Sequence, residues 1–344
     1  MAGVDVARRG VRLALPLRIG AWDDTIVLEP ANAEWLVRTA ACVAFRDGNV
    51  AAPASLAARV LPGTIREWHG DVRCLDSIVV ELRDGGGEVV FCIEFPRRVL
   101  QPFVTARAVH CVVESGAQGT VAYASSLHAV DGDDDPWPVE VPALPAWSID
   151  ELAARSVAEG TPARHWIATF VHPDVLDGFA LLEQASREQN VEAAGRIHTR
   201  VGFDPEARAF VRVLERLVVT RDVVATGSTI VSTAASWGDF LAAVPPGVAP
   251  SIPSHVHTHL HLAADGEGDE RGEGRLSAQA EPLISISDRV THLTQSTDPM
   301  AAAVIVSLYP DRRVVTFHGY TPDGFLDEEP GYWVLPRRGK RTWR

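Results

Sequence analysis

The stretch at 255–261, reading HVHTHLH, puts a histidine at every second position: His255, His257, His259 and His261. In a β-strand, side chains of one parity share a face, so any neighbouring pair of these histidines presents two imidazoles toward one point. A purification tag would be an unbroken run of histidine, which this is not. Imidazole is the commonest neutral zinc ligand, and two such nitrogens need only an oxygen ligand and a water to complete a tetrahedral catalytic site.

Outward from this strand the chain alternates helices and strands. Upstream, 166–171 reads as a strand, followed by a helix whose first turn carries Pro173 and Asp174, as helix starts prefer. Val175, Leu176, Phe179, Leu182 and Ala185 recur at helical spacing and give that helix one apolar face. Strands are expected at 193–200, 209–217 and 229–232, and a helix at 237–243. Downstream come a helix at 287–295 and strands at 302–308 and 313–319. This mixed order predicts an α/β domain with a mixed sheet.

Two further groups suit metal-assisted hydrolysis. Asp288 stands three residues after Ser285, where the strand-like Leu283 and Ile284 give way to a helix. That spacing sets a hydroxyl and a carboxylate on one side of a helix N-terminus, whose positive potential favours the anion. The pair offers a third metal ligand and a donor for a developing oxyanion. Glu192, in VEAAGRI at 191–197, starts the strand after the amphipathic helix. A carboxylate near a zinc-bound water is suited to taking its proton, because zinc lowers the pKa of that water to about 7 and a strong base is not required.

In this pattern the chain resembles the JAMM (MPN-plus, JAB-domain) zinc metalloproteases, whose motif is a glutamate with glycine three residues on, then His-x-His, then Ser-x-x-Asp. Glu192 with Gly195, His257-Thr258-His259, and Ser285 with Asp288 match it in order, and the resemblance extends over 166–320. The family places an apolar residue before the first histidine ligand and Ser or Thr between the two, which selects His257 and His259 through Val256 and Thr258. The resemblance implies a JAMM/MPN-like (cytidine-deaminase-like) mixed sheet flanked by helices. It implies one Zn2+ per chain, with a bound water, on His257, His259 and Asp288, and catalytic roles for Glu192 and Ser285. The implied activity is that of the prokaryotic deubiquitinase-like branch: an isopeptidase that removes a ubiquitin-like modifier from its conjugates or matures its C-terminus, as in bacterial antiviral conjugation systems. Its implied partners are the modifier, its conjugates and the conjugation enzymes. A peptidase acting on a sulfur-carrier protein or small amide, and a non-catalytic MPN scaffold, stay open as alternatives.

The chain departs from the family at two places. Leu260 stands where a proline is usual, and the segment 260–284, which includes ADGEGDERGEG at 264–274, widens a gap that is ordinarily short. Such an acidic, glycine-rich insertion reads equally as a lid over the metal or as an inert loop. His255 and His261 are expected in supporting or structural roles, and His292, one helical turn after Asp288, on a helix surface, with a place near the metal as the alternative. Asp298 is a rival for Asp288 that leaves too few residues for a helix before the strand at 302.

The first half reads as a β-rich or α+β domain over 1–130, a module for docking a partner or substrate. Strands are expected at 11–17, 77–82, 89–95 and 118–124 with few helical stretches, and Asp84 followed by three glycines is a hairpin turn. An acidic, proline-rich connector is expected at 131–147, and the capping pattern Ser148-x-x-Glu151 opens a helix to about residue 159. The zinc domain is expected over 148–325 and a basic tail over 326–344. A net charge of −13 disfavours a nucleic-acid backbone as ligand. No leader of signal-peptide form and no uncharged run near the roughly 20 residues of a membrane span are present, which predicts a cytoplasmic protein with no membrane partner. Cys42, Cys74, Cys92 and Cys111 form no C-x-x-C pair and read as buried free thiols. His69, His110 and His128 are isolated and read as structural or surface histidines.

Overall fold

In a computed structural model the described residues are 11–19, 22–27, 33–69, 72–115, 123–125, 127–131, 137–220, 223–226, 229–232, 240–242, 252–261 and 284–337. Contacts divide the chain into two compact units, one of Met1–Ala143 with Ser285–Thr297 and Pro322–Phe325, the other of Leu144–Ile284, Asp298–Thr321 and Leu326–Arg344. Both are mixed α/β and mostly sheet.

The first unit holds β1 (Val11–Ile19), β2 (Trp22–Val27), α1 (Glu34–Arg46), β3 (Ala54–Pro62), β4 (Ile65–His69), β5 (Val72–Leu75), β6 (Ser77–Arg83), β7 (Val89–Pro96), α2 (Gln101–Ser115), β8 (Tyr123–Ser125), β9 (Leu127–Asp131) and β10 (Trp137–Val141). They make a six-stranded sheet, β2-β1-β9-β5-β4 with β8 on β1, and a four-stranded sheet, β10-β3-β6-β7. The Asp84 hairpin joins β6 to β7. Asp84 Oδ1 accepts the N–H of Gly86 at 2.9 Å and of Glu88 at 3.0 Å, and Gly87 takes φ +81°, which glycine tolerates without strain.

Three features of this unit differ from the sequence expectation. Helices α1 and α2 occupy segments not assigned as helical, although α1 does carry a helical period: Glu34, Arg38, Cys42 and Arg46 share one stripe, while Trp35, Leu36, Val37, Ala40, Ala41, Val43 and Ala44 are buried. The connector contains β10, whose Val139 and Val141 are buried and which pairs antiparallel with β3. Cys92 is exposed and Cys42 partly so, rather than buried. Of the expected strand at 118–124, residues 118–122 lie outside the described residues, as do the side chains of Cys74, Cys111, His69, His110 and His128.

The second unit is built on a nine-stranded mixed sheet. Its elements are α3 (Ile149–Ala154), β11 (Val157–Gly160), β12 (Ile167–Val171), α4 (Pro173–Gln189), β13 (Ala194–Asp204), β14 (Ala209–Val219), the separate hairpin β15 (Val223–Thr226) and β16 (Thr229–Ser232), β17 (Ile252–Leu260), β18 (Ala303–Leu308), β19 (Arg313–Tyr320), β20 (Leu326–Glu328) and β21 (Gly331–Val334). The strand order is β11-β21-β12-β14-β13-β17-β18-β19-β20. β12 and β14 are parallel, β17 and β18 are parallel, and β13 runs antiparallel between β14 and β17, so these four parallel strands point their C-termini the same way.

Helix α4 forms where Pro173 starts it and Asn190, at φ 52°, ends it in the left-handed region. Its Val175, Phe179 and Leu182 pack on Val256, Val304, Val306 and Phe317, giving one face of the sheet a continuous apolar core. Gly178 allows the close approach, since a Cβ there would lie 2.7 Å from Leu217 Cδ2.

Two expectations are revised here. Helix α3 stops at Ala154, and the chain becomes an edge strand, β11, antiparallel to β21. Residues 326–334, expected in a tail, supply β20 and β21. β21 is held by sheet pairing to β12 and by stacking of Trp333 on Phe170, centroids 4.9 Å apart at 17°. Of the helix expected at 237–243, only residues 240–242 are described. Among the described residues no helix is long and apolar enough to cross a membrane.

Candidate metal centre

β17 is a central strand, paired with β13 on one side and β18 on the other. Its even-numbered Val256 and Thr258 face α4 and are fully buried, so the alternating histidines project from the opposite face. His257 and His259 are 4 % and 5 % exposed, and their Nε2 atoms stand 3.0 Å apart. Two nitrogens on one tetrahedral ion at the usual zinc distance would be separated by roughly 3.3 Å, close to this arrangement.

Helix α5 (Ile286–Gln295) begins with a reciprocal capping box. The Ser285 hydroxyl accepts the Asp288 N–H at 3.1 Å and donates to Asp288 Oδ2 at 2.6 Å, while the Ser285 N–H donates to the same oxygen at 3.0 Å. The carboxylate is thereby oriented before any ligand arrives. His257, His259 and Asp288 each offer one ligand atom, and these atoms all lie within 4.8 Å of one another, a group that could hold a metal ion. Two imidazole nitrogens and one carboxylate oxygen form the donor set of an open zinc site.

Glu192 is half-buried in the two-residue-long approach from Val191 to β13. Ala194 pairs with His257, and the Thr258 N–H donates to the Ala193 carbonyl at 2.8 Å, so Glu192 lies two residues before the partner of His257. Gly195 is required where it stands: a Cβ would lie 2.8 Å from Leu217 Cδ1 and from the Val218 carbonyl oxygen. Arg196, paired with His255, is 4 % exposed, and burial pushes its pKa down.

The remaining candidates fall outside the three-residue group. The His255 ring lies 5.2 Å from that of His257, and His261, fully buried, stacks on Tyr309 at 4.3 Å and 19°. His292 is 3 % exposed, not on the helix surface as expected. Asp298 makes a turn instead, its Oδ1 accepting the Met300 N–H at 2.8 Å. Leu260 ends β17 as a partner of Leu308 and packs on the α4 core. The segment 262–283 lies outside the described residues.

One contributor had no sequence signal. Ser186, in the last turn of α4, is fully buried and its Oγ lies 2.9 Å from Thr258 Oγ1. A serine among the apolar positions of an amphipathic helix announces nothing until its partner strand is in place.

Compared with protein-family models and with curated proteins, the chain finds no match.

Proposed function

We propose that this protein is a zinc-dependent isopeptidase of JAMM type that cleaves a ubiquitin-like modifier from its conjugates or matures its C-terminus. The observation that carries the reading is the convergence of His257, His259 and Asp288, two imidazoles and a carboxylate drawn from segments far apart in sequence.

Zinc held by these residues would supply Lewis acidity toward the scissile carbonyl and toward water. Glu192, at the mouth of β13, takes the proton of the attacking water and returns it to the departing amine, a duty that a carboxylate next to an acidified water performs near neutral pH. Ser285 fixes Asp288, to which its hydroxyl proton is directed. Donating instead to a developing oxyanion requires that hydroxyl to turn away, and the Ser285 N–H then keeps the carboxylate in place. The pair of His257 and His259 lies toward the C-terminal ends of the parallel strands β17 and β18, where open α/β sheets place their ligands.

The test is cleavage of a ubiquitin-like protein joined to a lysine side chain by an isopeptide bond. Turnover should stop with a zinc chelator, return with zinc, and be absent in Glu192→Gln. Cleavage of a short carrier-tail peptide but not of the folded modifier would transfer the activity to the sulfur-carrier class. Absence of zinc binding by the intact chain would leave a scaffold.

A further inference from the structure

The two peptide groups that flank Glu192 are each held by a buried hydroxyl, and the two hydroxyls are bonded to each other. The Ala193 N–H, in the peptide after Glu192, donates to Thr258 Oγ1 at 2.8 Å. The Val191 carbonyl, in the peptide before it, accepts from Ser186 Oγ at 2.5 Å. Ser186 Oγ and Thr258 Oγ1 lie 2.9 Å apart, and both residues are 0 % exposed.

A hydroxyl has one proton, which fixes the direction of the chain. A carbonyl accepts only, so Ser186 spends its proton on Val191. Thr258 therefore donates to Ser186, and its remaining acceptor capacity meets the Ala193 N–H. Every bond in the loop is made once, with donors and acceptors balanced. Thr258 lies between His257 and His259 on β17, so the strand that carries two imidazoles toward the metal also holds, through its opposite face, the backbone on either side of Glu192.

We infer that Thr258 and Ser186 are positioning residues that set the Glu192 carboxylate against the metal centre. The inference rests on Glu192 being the proton carrier. Its logic is geometric: rotation of either flanking peptide would swing the carboxylate, and a misplacement of about 1 Å costs on the order of 100-fold in rate. The metal ligands are held by their own strand and helix, so loss of the lock should reach the proton carrier and spare the metal.

The test uses the full chain as wild type, Thr258→Val, Thr258→Ser, Ser186→Ala and Glu192→Gln. Three quantities are read: amide hydrogen exchange at 191–193, zinc affinity by competition with a chromophoric chelator, and turnover of the isopeptide-linked conjugate. Thr258→Val and Ser186→Ala should raise exchange at 191–193 about tenfold, leave zinc affinity within about threefold and cut turnover about 100-fold. Thr258→Ser, which keeps the hydroxyl, should return exchange and turnover to the wild-type level with zinc affinity unchanged. Unchanged exchange at 191–193 in both Ser186→Ala and Thr258→Val overturns the lock, as does equal loss of zinc in these variants. Should Thr258→Val fail to fold, Ser186→Ala and Thr258→Ser decide the matter. Full turnover by Glu192→Gln would instead sink the proton-carrier role, and the exchange data would still report whether the lock exists.

Discussion

His257 Nε2 and His259 Nε2 stand 3.0 Å apart on one face of a central strand, with Thr258 between them turned to the other face. Two imidazoles brought this close inside a protein are suited to sharing a third body. His257→Ala, His259→Ala and Asp288→Ala should each weaken zinc binding by about 100-fold or more, whereas Glu192→Ala should keep zinc and lose turnover. Zinc titration of the four purified variants checks this, and an equal loss of zinc in Glu192→Ala would contradict its assignment as proton carrier.

Gly195→Ala should destabilise the protein by about 1–3 kcal/mol. Its Cβ would meet the Val218 carbonyl oxygen at 2.8 Å and Val256 Cγ1 at 3.3 Å, and the backbone oxygen cannot yield without moving a strand. Because β13 leads directly from Glu192, turnover should fall as well. Thermal melting and turnover of the same sample test both, and a wild-type melting temperature would refute the crowding argument.

Arg212 is fully buried and ion-paired with Glu329. It also donates to Thr169 Oγ1 at 2.9 Å and to the Ala301 carbonyl at 3.1 Å. Removing only the cation strands a carboxylate, so Arg212→Met should cost about 3–5 kcal/mol, while Arg212→Met combined with Glu329→Leu should recover much of that loss. Chemical denaturation of the single and double variants measures it, and a double variant no better than the single would show that packing, not charge, sets the cost.

Asp204 links the start of α3 to β13. Its Oδ2 accepts the Ile149 N–H at 2.7 Å, and Oδ1 accepts the Glu206 and Ala207 N–H groups at 2.9 and 3.0 Å. Burial, the largest single influence, raises its pKa, but the three backbone donors together bring it below the usual 3.8. A folded-state value below the unfolded one means that the stabilisation is present above pH 3.8 and is lost as pH falls through the depressed value. Asp204→Asn should therefore be less stable at neutral pH by about 1–3 kcal/mol and lose less on acidification. Urea midpoints followed down into acid should converge, and parallel curves would remove Asp204 as a source of acid sensitivity.

The candidate site was readable because its signals are local. A period of two marks the histidine strand, Ser285 and Asp288 meet within one helical turn, and the apolar spacing from Val175 to Leu182 marks α4. Where the signal is not local the reading was poorer. The short strands β10, β20 and β21 take strand form only because a neighbour offers its backbone, β10 and β20 at sheet edges and β21 between β11 and β12. Pairing partners up to 177 residues apart, as Val157 and Val334 are, leave no trace in a local window.

Sequence alone determined which side-chain types stand on the histidine strand and at the start of the following helix, and their spacing within each element, because side-chain direction repeats with the backbone period. Tertiary structure alone decided that Ser186 reaches Thr258, and that residues 326–334 complete a sheet. Those outcomes depend on hydrogen bonds between distant segments, whose formation is fixed by the packing of the whole unit and not by any stretch within it.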